Sequence, residues 1–142
     1  MADKLHREPV EWKDQYMVNV GIIDENHQKF VEIIQRLDRF LDETSCEESI
    51  SDIFYSLVNY VEHYLIQEEI YFKNYQYPNF SQHKEAHQYF IDQIIRFREE
   101  FEKGSTTICL EMRQFLAEWF RNHILDYDSE AVHFLVEKGL NK

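Results

Sequence analysis

The chain has 142 residues and carries 15 Lys and Arg against 27 Asp and Glu, a formal net charge of −12. A chain this acidic repels phosphate backbones and anionic membranes, so nucleic acid is not expected as a partner. With only three Gly, two Pro and 15% aromatic residues, the composition argues against a turn-rich β fold. The length fits one domain with a sizeable core.

The first stretch, MADKLHREPV, has no apolar h-region, so no secretory signal is expected. Residues 1–23 read as an irregular arm, because Pro9 blocks a continuous helix. Trp12, Tyr16, Val18, Val20 and Ile22 are its apolar anchors. His6 reads as a solvated residue. Asp24 is an N-cap candidate for a helix running to about Leu41. The apolar stripe of that helix is Phe30, Ile33, Ile34, Leu37 and Leu41, which His27 continues inward. Ser45 with Glu48 three residues later is a capping-box pattern for a second helix reaching about Tyr75. Ile50, Ile53, Phe54, Leu57, Tyr60, Val61 and Tyr64 form its inner face, and His63 and Glu68 lie near its far end. Cys46 and Cys109 lack CxxC spacing and read as free thiols of a reducing, cytoplasmic compartment, with a bond between them left open.

Pro78 and Asn79 turn the chain into a third helix, which carries His83 and His87 in its first turns. Residues four apart return to one helix face, so these imidazoles can grip a metal or can simply be ordinary helix histidines. Gly104 is a natural stop. A fourth helix runs from about 105–107 to His123, with Asp128 five residues on. A short C-terminal helix follows at about 129–137, and its His133 has no evident partner. No apolar run approaches the ~20 residues that span a bilayer, so no membrane insertion is expected.

The predicted fold is all-α: an up-down-up-down antiparallel four-helix bundle over about 24–126, with the arm and the short last helix added. In that topology His27, His63, His83, His87 and His123 all fall at one end, together with Glu68 and Asp128. Five independent core histidines meeting by chance would be improbable, because buried polar groups need partners.

These residues resemble the hemerythrin family, specifically its single-domain bacterial members. The resemblance rests on Trp12 in the arm, IDENH ending at His27, His63 with Glu68, His83-Lys-Glu-Ala-His87 and His123-Ile-Leu-Asp-Tyr-Asp128. It covers about residues 10–136. It implies two Fe ions, oxo- or hydroxo-bridged, one held by His83, His87 and His123 and the other by His27 and His63. Glu68 and Asp128 would bridge them. Counting ligands leaves one open position, on the iron with two histidines, where O2 would bind.

The function implied is reversible O2 binding, for carriage, storage or delivery in a bacterial cell, and not an enzyme activity. An O2 or redox sensor and a di-iron peroxidase or oxidase are the alternatives. No protein recipient is named by the sequence. Trp119, Phe120 and Ile124 flank His123 and either line an O2 pocket or pack as ordinary core. Phe120 stands where the family commonly has Leu. Another departure is larger. The family spaces its second His and Glu four apart, whereas His63 and Glu68 are five apart. Five residues of α-helix leave two side chains about 140° apart. A π-bulge within about His63–Glu68 is therefore expected, with Glu68 rather than Gln67 facing inward.

Overall fold

The computed structural model describes residues 8–18, 20–43 and 46–139, excluding the side chains at 22, 46, 47 and 126–128. Helix α1 spans Gly21–Asp42. Helix α2, Cys46–Tyr60, passes through a π-helical turn at Val61–Leu65 into α3, Ile66–Asn74. Helix α4 spans Phe80–Glu102 and α5 spans Ile108–Trp119. A second π segment, Phe120–Asp128, carries α5 into α6, Ser129–Glu137. Four long rods result, α1, α2–α3, α4 and α5–α6, packed as the expected four-helix bundle, and no strand occurs among the described residues.

The apolar stripes meet in one core. Phe30, Ile34 and Leu37 of α1 join Ile50, Ile53 and Leu57 of α2, Phe90 and Phe97 of α4, and Met112 and Leu116 of α5. Each such side chain contributes roughly 1.5–3 kcal/mol when fully buried. A second cluster of Phe72, Tyr77, Ala131 and Leu135 lets α6 cover the turn between α3 and α4. The last helix, Ser129–Glu137, is thus a continuation of the fourth rod.

Two rod ends show why the chain turns where it does. After α3, the Gln76 N–H donates to the Lys73 carbonyl and the Tyr77 N–H to the Phe72 carbonyl, with Gln76 at φ 56°. This is the Schellman arrangement, and the Phe72 and Tyr77 rings, 5.0 Å apart, supply its apolar contact. Gly104, at φ 96°, closes α4 by the same pattern through Phe101 and Glu100, as its sequence position suggested.

Helix α1 begins three residues before the expected Asp24. Its N-cap is Val20, without a side-chain cap. Asp24 instead turns back on the arm, where its Oδ1 accepts the Val18 N–H at 2.8 Å. Ser45 of the expected capping box lies outside the described residues, as does His6. The arm is tied down by the Gln35 side chain, whose Nε2 donates to the Val10 carbonyl at 2.9 Å. Trp12 packs edge-on to Tyr16, and Tyr16 edge-on to Phe120. Cys109 is joined in a disulfide, which corrects the expectation of free thiols.

Candidate metal centre

Glu68 of α3, His83 and His87 of α4, and His123 of the second π segment converge at one end of the bundle. All four are buried, His123 being the most exposed at 6%. One ligand atom from each lies within 4.8 Å of all the others. Glu68 Oε1 sits 2.9 Å from His83 Nε2 and 3.1 Å from His87 Nε2. Three imidazoles and a carboxylate in so small a volume match the donor set of a first-row transition metal. Burying such groups together is unfavourable without a compensating charge, which an ion supplies.

Neighbouring side chains hold these candidate ligands in place. His87 Nδ1–H donates to Glu69 Oε2 at 2.9 Å, which fixes the tautomer and leaves Nε2 facing Glu68. Trp119 stacks on His123 with ring centroids 3.9 Å apart and planes 12° apart, and its Nε1–H donates to the Tyr60 hydroxyl. Phe72 stands edge-on to His83 at 4.5 Å, so the Schellman turn after α3 also positions the ring of a candidate ligand. Glu69 and Phe72 were not singled out by sequence reasoning as supports. The i, i+1 placement of Glu69 beside a candidate ligand is the only sequence signal for it.

His27 is buried on α1 beside Trp12 of the arm. Its Nε2 does not meet His63. The structure places His63 at the surface, where it lines a cleft with Asn26, Lys29, Arg36 and Asn59. The expectation that His63 faces the centre is therefore corrected. The residue facing His27 is Tyr64, whose hydroxyl lies 2.5 Å from His27 Nε2 and donates to Glu68 Oε2 at 2.7 Å.

The cause is the position of the π turn. The Ile66 N–H bonds to the Val61 carbonyl, five residues back, so the extra residue is absorbed at Val61–Leu65. Tyr64 and Glu68 are then four apart on one face, and His63 is turned about 100° away. Glu68 faces inward and Gln67 outward.

The second π segment was not anticipated, although the five-residue interval from His123 to Asp128 raises the same arithmetic. An i→i+5 helix brings such positions into register. The Asp128 side chain lies outside the described residues. Ile124 is buried in the core, and Phe120 is buried against Tyr16 of the arm. Trp119 and His123 also line an open cleft with Tyr89, Phe115, Glu118 and Asn122. His133 is exposed and pairs with Glu137 on its own helix.

Comparison with known proteins agrees with this geometry. The chain matches the family model described as the hemerythrin HHE cation binding domain over residues 18–135. It is 28% identical over 133 residues to a bacteriohemerythrin of Stenotrophomonas maltophilia, covering 92% of this chain and 84% of that one. A bacteriohemerythrin of Clostridium acetobutylicum is 29% identical over 125 residues, or 85% of this chain and 97% of that one. One of Pseudomonas aeruginosa is 28% identical over 123 residues, 85% and 78% of the two chains. With a family model spanning both the bundle and the buried histidines, the chain belongs to the hemerythrin family.

Proposed function

We propose that the protein binds O2 reversibly at a centre of two iron ions and so carries, stores or delivers O2 in a bacterial cell. The observation that carries this reading is the buried set Glu68, His83, His87 and His123. Membership of the family, with relatives named bacteriohemerythrin, adds the expectation of a binder rather than an enzyme. Iron, when bound, supplies the redox-active centre that O2 needs.

The chain's own residues supply the rest. His83, His87 and His123 would hold one ion. Glu68 would reach it through Oε1 and leave Oε2 for its neighbour. His27 and Asp128 are the further ligands proposed for that neighbour. Trp119 fixes the plane of the His123 ring. The Trp12–Tyr16–Phe120 contacts close the His27 side with apolar rings that limit water entry. Phe120 and Ile124, with Trp119, are proposed to wall the O2 pocket. No described helix is long and apolar enough to cross a membrane. The cytoplasm is the proposed compartment. The Cys109 disulfide runs against it, and a free-thiol count in fresh cell extract decides the matter.

The test is anaerobic loading with ferrous iron, an iron assay, and O2 titration followed by visible absorption. The expected result is a band that appears with O2 and disappears under vacuum. Iron that oxidises at once, with no reversible band, would replace this reading by an oxidase, peroxidase or sensor. A chain that takes up no iron would end it.

A further inference from the structure

The two oxygens of Glu68 face two different groups. Oε1 faces His83 and His87, while Oε2 accepts the Tyr64 hydroxyl, which in turn touches His27. A carboxylate divided in this way suits a bridge between two ion positions. The first position has three imidazoles. The second has His27 Nε2, Glu68 Oε2 and, in place of the family's second histidine, a phenol.

We propose that Tyr64 is a metal ligand, its phenolate oxygen joining His27 and Glu68 at the second ion position. This rests on the metal-centre reading above and names the donor that sets this chain apart within it. Tyr64 is only 2% exposed, and its hydroxyl reaches Glu68 Oε2, four residues on, at 2.7 Å. Its ring is fixed between Tyr60, at 5.2 Å, and His27, at 5.4 Å, so the oxygen is aimed and not free to swing. On ligation the Tyr64 O–H bond breaks, its proton goes to bulk water, and the oxygen lone pair goes to the ion. No electron is transferred. An anionic oxygen in place of a neutral imidazole favours the ferric over the ferrous ion by Coulomb attraction. The second position should therefore hold its oxidised state more strongly than one with a histidine in place of Tyr64.

The test uses the full chain loaded with iron and oxidised in air, with iron counted per chain and resonance Raman spectra recorded in the visible band. The expected result is two irons and a phenolate-to-ferric charge-transfer band that enhances tyrosinate ring vibrations. Tyr64→Phe should lose that band and fall to one iron. Tyr64→His should keep two irons without the band. His63→Ala should change neither reading. The proposal is overturned if the wild-type chain holds iron but shows no tyrosinate vibrations, or if Tyr64→Phe retains both irons and the band. It is equally overturned if His63→Ala removes them. Should Tyr64→Phe fail to fold, the wild-type Raman spectrum decides alone. A wild-type chain with one iron and no tyrosinate signal refutes this assignment and leaves the three-histidine position standing. A chain with no iron refutes the metal centre itself.

Discussion

Glu68→Gln is expected to weaken metal binding by more than about 100-fold, since even supporting groups around a metal ligand are worth about 10–100-fold. The reason is positional. Glu68 is 1% exposed, and both its oxygens are engaged, one by His83 and His87 and the other by Tyr64. An amide removes the negative charge that offsets the ion and sets an N–H2 donor against donors. The loss is readable as thermal stability. At an ion concentration of 100 times the wild-type dissociation constant, binding stabilises the fold by about 2.7 kcal/mol. The same concentration would give a 100-fold weakened variant about 0.4 kcal/mol. For a chain of this size the wild-type melting temperature should rise roughly 5–10 °C on adding the ion, and that of the variant about 1 °C. Glu69→Gln should fall between the two, because Glu69 acts only through His87 Nδ1. Equal shifts in wild type and Glu68→Gln would place the ion elsewhere.

The parts of this centre that were legible in the sequence are those set by periodicity. His83 and His87 needed only the helical four-residue return. Their meeting with His123 followed from alternating rod directions, and Gly104 marked a turn by its backbone freedom. The failures share a different cause. The sequence shows that one extra residue lies between His63 and the Glu68 register, but local propensity does not say on which turn it is absorbed. Packing decides that. Tyr64 fits inside among Tyr60, His27 and Glu68, and His63 is tolerated in a polar cleft. The N-cap at Asp24 failed in the same way, because its carboxylate found a partner in the arm, a contact remote from helix propensity. The disulfide at Cys109 was equally out of reach, since two isolated cysteines carry no pairing information.

A buried charged residue should matter most for stability. Arg113 of α5 is 6% exposed. Its Nε donates to Asp38 Oδ1 at 2.9 Å, and its Nη2 donates to Asp38 Oδ2 at 3.2 Å and to the Glu8 carbonyl at 2.6 Å. One guanidinium thus joins the fourth rod, the first rod and the arm. Arg113→Ala should destabilise the fold by about 3 kcal/mol, the low end for breaking a buried pair. The low end applies because the Asp38 side chain is 22% exposed and can recover some water. Arg113→Lys should not restore the full value, because an ammonium cannot present the planar two-pronged fork. Replacing both partners with apolar residues should come closer to wild type than Arg113→Ala does, since no charge is then stranded. Asp38 lies eleven residues beyond His27 on α1, roughly 16 Å along the axis. Iron per folded chain should therefore stay unchanged while the urea midpoint falls. A loss under 1 kcal/mol in urea titration, or a double variant worse than Arg113→Ala, would mean that the apolar core alone holds the rods and that this pair only orders the arm.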